Sequence, residues 1–367
     1  MCVSPQQADA NAPGGAAGET GASRKRRRTL TVLQYGVTIA VLAACLEYFL
    51  VPQIRQTHLS LLAHISVPWL ITGTLLESVS LFCYSLLTRS LLPAASPSLF
   101  TVFRIDTSCT ALGHVVPAGS AASAALGYRL FTSRGVKPAD AGFMMASQGP
   151  GSTVVLNVLL WAAVLASIPL SGFHRIYLAA GLAGLAVLLA VAVLLYVFSR
   201  GEERVVRLAR GSIGWIPRVP EDAAERLVRA LAGSVRSFRA DPHRMRWALC
   251  WAAVNWLLEA AALWCFVAAF GHYADPVLLF AAFGIANVAA AVPLTPSGLG
   301  VIEVTLPLLL AGNGVTKGVA TLAVIGWRLA SFWLPIPFGA AAYLSLRLPR
   351  GRWTGADRRR QNGAPDG

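Results

Sequence analysis

Residues 287–303 read NVAAAVPLTPSGLGVIE, an apolar segment interrupted by prolines and glycines before it ends in an acid. Proline removes a backbone donor and clashes with the preceding helical turn, so a helix should break at Pro293 and Pro296. The apolar run that follows carries Glu303. Backbone groups freed at membrane depth must be covered by protein or face a wet cavity. The pattern therefore predicts either a broken helix at a transport site or a tight loop between two ordinary spans.

Composition indicates a membrane protein. Hydrophobic residues make up 55% of the 367 residues and charged residues only 13%, and several apolar runs reach the ~20 residues that span a bilayer. We therefore expect an all-α fold, a polytopic membrane helical bundle. Arginines gather before the first span, in a loop at about 199–246 and in the C-terminal tail. Such segments are typical of the cytoplasmic side, so we expect a multi-pass cell-membrane protein with both termini inside and no nucleic-acid partner.

The chain divides into three predicted segments. A disordered basic N-terminal segment covers 1–29, a transmembrane domain covers 30–346, and a disordered basic tail covers 347–367. Loop 199–246 should contain an amphipathic helix that lies on the anionic leaflet or serves as a solvated linker. Apolar segments are predicted at about 31–51, 61–87, 97–116, 118–133, 139–168, 175–198, 247–270, 275–293 and 319–346, with a short apolar piece after the broken segment that ends at about 312.

An internal repeat relates the two halves of the transmembrane domain. Residues 69–84 read WLITGTLLESVSLFCY and residues 251–266 read WAAVNWLLEAAALWCF. Trp, Leu-Leu-Glu, Leu and Cys recur at an offset of 182. The shared acids are Glu77 and Glu259, which become symmetry mates if the repeat is real.

The helix breaks also correspond between the halves. At an offset of 179, Pro117 matches Pro296 and Gly119 matches Gly298. Each half would then contain a glutamate-bearing span, a Pro/Gly-broken helical hairpin and a closing span. A hairpin adds an even number of crossings, so the second glutamate span should run opposite to the first. The count predicts two inverted repeats, an arrangement typical of transporters.

Charged side chains in or beside the apolar segments are candidate site residues, because a charge at mid-bilayer costs ~3 kcal/mol unless it faces a bundle interior or a wet cavity. The candidates for substrate binding are Arg328, Glu303, Arg104, Arg129, Glu77 and Glu259. The candidate backbone of the broken helices comprises Pro117, Gly119, Pro293, Pro296, Gly298 and Gly300. Interhelical ion pairs are the alternative for the acids and Arg328, whereas Arg104 and Arg129 could extend toward the interface. Arg104 and Asp106 do not share a helix face, so each needs its own partner.

Sequence motifs of known enzymes are missing. The chain contains no recognisable Ser/His/Asp arrangement, Walker loop, Rossmann fingerprint or metal-ligand spacing. The longest polar segment is the arginine-rich loop, which is too short for a catalytic domain. We therefore expect no enzymatic activity, no cofactor and no metal site.

A resemblance to a known family is carried mainly by the second half, through the broken segment at 293–303 and the sequence WRL around Arg328. It resembles the flippase-like transmembrane domain of the lysylphosphatidylglycerol synthase family, whose pattern has a glycine-rich break, a glutamate and an arginine in the last span. Glu303 and Arg328 stand at the matching positions. The first half is similar around 117–119 but has Ala-Ala-Ser at 121–123 where many members carry an acid.

The resemblance implies a stand-alone member without the synthase domain, which moves a phospholipid or a lipid-linked sugar between leaflets. The expected partners are membrane lipids with an anionic headgroup or a polyprenyl-phosphate-linked sugar. The candidate arginines would hold the headgroup, and the glutamates would pair with them or carry a coupling proton. The alternative is a non-catalytic membrane subunit that scaffolds a cell-envelope glycosyltransferase or lipid synthase, with the basic loop as its docking surface.

Overall fold

The computed structural model describes residues 65–93, 97–116, 119–171, 240–290 and 298–347, together with positions 184, 185, 189 and 238. Within these residues the regular structure is entirely helical, which confirms the predicted fold class. The predicted span at 31–51, nearly all of the span at 175–198, the N-terminal segment, most of loop 199–246 and the tail lie outside the described residues. So do Pro117, Pro293 and Pro296.

The described chain forms nine α-helices and one π-helical turn. The helices are α1 Val67–Leu91, α2 Leu99–Val115, α3 Gly119–Thr132, α4 Pro138–Ser171, α5 Pro242–Ala269, α6 Pro276–Ala290, α7 Val301–Gly312, α8 Lys317–Arg328 and α9 Pro335–Arg347, with the π turn Leu329–Trp333 between α8 and α9. Among the described residues, four stretches are long and apolar enough to cross a membrane, namely Val67–Leu91, Pro138–Ser167, Pro242–Ala269 and Lys317–Arg347.

The two glutamate-bearing helices, α1 and α5, form an antiparallel pair. The backbone N–H of Ser66, just before α1, donates to the carbonyl of Ala269 at the end of α5 at 2.9 Å. At the other end, Arg244 Nη2 near the start of α5 donates to the carbonyl of Leu91 at 2.9 Å. Each helix therefore begins where the other ends. This is the orientation that an inverted repeat requires, although the repeat itself stays a prediction.

Small residues let α8 join this pair closely. A side chain on Gly73 of α1 or on Gly326 of α8 would place its Cβ 3.0 Å from the ring of Phe266 on α5. The aromatic ring of α5 thus fills the space that both glycines leave open. The contact positions the following residues of α8, Trp327 and Arg328, beside the glutamates of α1 and α5.

One end of the bundle, here called the basic end, is marked by Arg89, Arg134, Lys137, Arg244 and Arg347. Arg134 Nη2 donates to the carbonyl of Leu346 at 2.9 Å, and an apolar cluster joins the ends of α1, α3 and α9 to the start of α5. The start of α5 and the end of α9 therefore share one end of the bundle. This agrees with the predicted count of crossings, whereas a cytoplasmic location of that end stays a prediction.

Two helical hairpins enter the bundle from opposite ends. Hairpin 1, formed by α2 and α3, begins and ends at the basic end, and His114 near its tip contacts Phe332. Hairpin 2, formed by α6 and α7, begins and ends at the opposite end, where Asn313 Nδ2 donates to the carbonyl of Leu278 at 3.3 Å. At the tip of hairpin 2, Glu303 near the start of α7 contacts Arg328. Both tips thus meet the middle of the 31-residue stretch Lys317–Arg347, so each hairpin extends along about half of that stretch.

Candidate functional site

A cavity of about 1350 Å³ lies where the two hairpins meet. Its wall contains residues from both hairpins, from the glutamate-bearing helices and from α4 and the π turn. Hairpin 1 contributes Gly113, His114, Gly119, Ser120 and Ser123, and hairpin 2 contributes Asn287, Ala290 and Gly298. Gly119 and Gly298, one glycine from each predicted break, therefore face one shared space.

Arg328 and Glu303 form a buried ion pair at the tip of hairpin 2. Arg328 Nε lies 2.6 Å from Glu303 Oε1, and the two side chains are only 10% and 12% exposed. The other carboxylate oxygen of Glu303 accepts the backbone N–H of Gly300 at 2.7 Å, which satisfies a donor at the start of α7. The carboxylate therefore links the last span to the N-terminus of α7.

Glycines make the turn before α7 possible. Gly298 has φ +69° and Gly300 has φ +83°, a left-handed conformation that other residues rarely adopt. A Cβ on Gly298 would also lie 2.7 Å from the Cβ of Ala290 on α6. The two glycines of the predicted break are thus required by backbone conformation and by the close approach of the hairpin arms.

The π turn Leu329–Trp333 holds the tip of hairpin 1. Leu334 N–H donates to the carbonyl of Leu329 at 2.9 Å, which is the wide i+5 bond of a π turn. His114 Nδ1 lies 2.9 Å from the carbonyl of Phe332 and donates to it, since a carbonyl can only accept. The two rings stack with centroids 4.2 Å apart. His114 is therefore a hydrogen-bonded residue of the hairpin tip.

Four residues connect the two tips, and we call them the tip chain: Glu303, Arg328, Phe332 and His114. The guanidinium carbon of Arg328 lies 5.0 Å from the ring centre of Phe332, and the ring of Phe332 in turn stacks on the ring of His114. An ion pair, a cation–π contact and a stacked ring pair thus run in series from hairpin 2 to hairpin 1. The two tips therefore share a continuous series of contacts through the last span.

Glu77 and Glu259 face the same cavity from α1 and α5. Trp327 Nε1 donates to Glu77 Oε2 at 3.2 Å, and Asn255 Nδ2 donates to Glu259 Oε1 at 3.0 Å. Both acids interact electrostatically with Arg328. The predicted candidates Arg328, Glu303, Glu77 and Glu259 are therefore brought together.

The remaining predicted arginines lie elsewhere. Arg104 Nε donates to Ser345 Oγ at 2.9 Å, and its guanidinium lies over the ring of Phe100. Arg129 is exposed on α3. Neither side chain belongs to the cavity wall. Of the predicted arginines, the structure therefore brings only Arg328 to the cavity, and a headgroup-binding role for the other two would need them to reorient.

Sequence reasoning left out many polar residues of the cavity wall, among them Gln148 and Asn287. Gln148 Nε2 donates to Thr88 Oγ1, and Asn287 Nδ2 donates to its own helix at the carbonyl of Phe283 at 2.9 Å. A neutral amide in a long apolar helix is a weak signal in a sequence, since such residues also serve as helix contacts. The placement of α4 and α6 against the cavity is what singles them out.

Comparisons with known proteins agree with this architecture. The family model described as the lysylphosphatidylglycerol synthase TM region matches residues 28–339. The chain is similar to the inner membrane protein YbhN of Escherichia coli K12, with 26% identity over 94 residues, which are 26% of this chain and 29% of that protein. It is also similar to a UPF0104 membrane protein of Methanothermobacter thermautotrophicus, with 24% identity over 143 residues, which are 37% of this chain and 42% of that protein. The matches span less than half the length of either relative.

Proposed function

Because the chain belongs to the family of the lysylphosphatidylglycerol synthase TM region, we propose that it is a flippase-like transporter, which moves a phospholipid or a lipid-linked sugar between the leaflets. The cavity between the two hairpin tips is the observation that carries this proposal. Half-span helices around a wet site near the middle of the membrane are the usual architecture of a transporter site.

The headgroup would occupy the cavity, and the acyl chains would stay in the lipid. A phosphate of the headgroup would compete with Glu303 for Arg328, because a guanidinium binds phosphate and carboxylate oxygens in the same way. The exchange keeps Arg328 paired, and the displaced carboxylate of Glu303 would keep the N–H of Gly300 and take up a proton or reach water in the cavity. Binding of the lipid would thereby release hairpin 2 from the last span.

Proton binding by Glu77 or Glu259 would supply a source of energy for directed movement. These acids share the cavity with Arg328, so a change in their charge alters the attraction that Arg328 offers to an anionic headgroup. The rival role as a scaffold for an envelope enzyme would need no such space inside the bundle. Co-purification of that enzyme, together with absence of lipid movement, would favour the rival.

The proposal is tested with purified protein in proteoliposomes that contain a fluorescent phospholipid or, separately, a fluorescent polyprenyl-phosphate sugar. We expect protein-dependent loss of leaflet asymmetry for one of these lipids. Arg328→Ala should reduce that rate at least ten-fold, because the headgroup loses its cationic partner. The matched control, Arg129→Ala, removes an exposed arginine outside the cavity and should leave the rate unchanged. A folded Arg328→Ala protein that moves lipid at the rate of the unmodified protein would rule out the site assignment.

A further inference from the structure

Asp106 is a buried acid of the cavity that the proposed function does not use. It lies on α2 in hairpin 1, forms part of the cavity wall and is 3% exposed. Its Oδ2 atom has no hydrogen-bond partner among the described residues. Buried carboxylate charge is tolerated when it is paired or hydrogen-bonded. The unpartnered oxygen therefore calls for an explanation.

Hydroxyl groups of α1 surround this carboxyl. Ser85 and Thr88 are its hydrogen-bonding neighbours. Each hydroxyl already donates to its own helix, Ser85 to the carbonyl of Leu81 at 3.4 Å and Thr88 to the carbonyl of Tyr84 at 3.2 Å. A hydroxyl has one hydrogen but two lone pairs, so both can present an acceptor to Asp106, and Thr88 keeps one lone pair after accepting from Gln148 Nε2. Turning them round would break those bonds and still leave Oδ2 without a partner.

No described cation neutralises Asp106. Arg104, two residues earlier on the same helix, faces away from it and donates to Ser345 of α9. The titratable groups that face Asp106 are Tyr84 of α1 and Cys109 of α2, and both are neutral when protonated. Within the described ranges Asp106 makes no ion pair with α3, α4 or α9.

We propose that Asp106 is a proton-binding site of the cavity. With a proton on Oδ1, the carboxyl is neutral and its O–H donates to the hydroxyl oxygen of Ser85 or Thr88. Oδ2 still lacks a partner, but it no longer carries part of an unpaired buried charge. A bound metal ion would need about six oxygen ligands, and the described residues contain no group of three acidic, His or Cys side chains that could hold one. A proton needs only two oxygens.

The position of Asp106 determines what loss of this proton would do to hairpin 1. Asp106 lies where hairpin 1 packs on α1, so loss of the proton places a negative charge in that contact. The charge would favour a position of hairpin 1 in which water reaches Asp106 from the cavity. This link between protonation and hairpin movement rests on the proposed function, whereas the proton site itself does not.

Infrared difference spectroscopy of the protein in lipid nanodiscs, between acidic and alkaline pH, tests the proton site. We expect a carbonyl band of a protonated carboxyl that is lost at alkaline pH, is missing in Asp106→Asn and moves to a different frequency in Asp106→Glu. The matched control is Asp275→Asn, which removes a carboxylate whose Oδ1 accepts two backbone N–H groups at the start of α6. That variant should keep the band.

Each other outcome decides against the proton site. If Asp106→Asn gives the same difference spectrum as the unmodified protein, the carbonyl bands belong to other acids. A band that is lost on adding Na⁺ at fixed pH indicates a metal cation instead. If Asp106→Asn does not fold, Ser85→Ala replaces it as the test, because loss of the Ser85 hydroxyl should shift the carbonyl band. The proposal is wrong if neither Ser85→Ala nor Asp106→Glu shifts the band. An intact band in a protein that moves no lipid would contradict the proposed function alone.

Discussion

Arg328 makes three kinds of contact at once, and these contacts determine how its replacement should affect stability and binding. Its guanidinium pairs with Glu303, lies over the rings of Phe332 and Trp327, and faces the cavity. Removal of one partner from a buried pair usually destabilises a protein by ~3–5 kcal/mol, because the other charge remains buried and unpaired. The ion pair should therefore contribute to stability as well as to binding.

Replacement of Glu303 tests this contribution. Glu303→Gln loses the charge but keeps an oxygen that accepts the N–H of Gly300, whereas Glu303→Ala loses both. We expect Glu303→Gln to lower the free energy of unfolding by about 3 kcal/mol and Glu303→Ala by about 1 kcal/mol more, the typical contribution of a helix cap. Thermal denaturation in detergent measures both. The double variant Glu303→Gln, Arg328→Gln should lose less than the sum of the single losses, and strict additivity would show that the pair is not coupled.

The sequence alone identifies most of the charged residues that line the cavity, but it does not show which way each charged side chain points. Glu77, Glu259 and Arg328 were selected because a charge in an apolar helix needs a wet or paired environment, and all three face the cavity. Arg104 was selected for the same reason but contacts Ser345 on α9. Helical periodicity separates the faces of Arg104 and Asp106 correctly, but it does not show which neighbouring helix covers each face.

At the scale of helices and hairpins, the tip of hairpin 1 depends on the absence of a side chain at Gly119. A Cβ there would overlap the backbone carbonyl of Gly113, so the arms of the hairpin could not stay in contact. We expect Gly119→Ala to loosen hairpin 1 and to speed amide hydrogen exchange throughout α2 and α3. The matched control is Gly149→Ala, whose new Cβ would meet no atom within 4 Å. Alanine in that helix should be neutral or stabilising by up to ~1 kcal/mol.

Equal hydrogen exchange in Gly119→Ala and in the unmodified protein would show that the tip can absorb a methyl group and that glycine is not required there.

The helix boundaries, in contrast, follow from simple signals in the sequence. Pro138, Pro242 and Pro276 begin helices. Among the described residues, the predicted segments agree with the observed helices to within about four residues, apart from the starts of α1 and α5, which were predicted near 61 and 247 and lie at Val67 and Pro242. The π turn was not predicted, because its wide hydrogen bond arises from packing between the last span and hairpin 1.

At the scale of the whole molecule, the two ends of the bundle differ in charge, and the basic end should face the cytoplasm. This is tested in a variant without native cysteines. Tyr273→Cys lies at the opposite end, where the native side chain is 67% exposed, and should react with a membrane-impermeant maleimide added to intact cells. Arg347→Cys at the basic end should react only after the membrane is permeabilised. The reverse pattern would invert the predicted topology.

The half-span hairpins also determine where the membrane voltage falls. In the proposed transporter, water in the cavity would carry the potential of its own side inward, so most of the voltage would drop across the protein at the tip chain and not across the full thickness of the bilayer. A headgroup with one net charge that passes this layer changes its energy by ~2.3 kcal/mol per 100 mV. The direction of net lipid movement would therefore respond to the electrical state of the cell, and for an anionic headgroup an inside-negative potential would favour export.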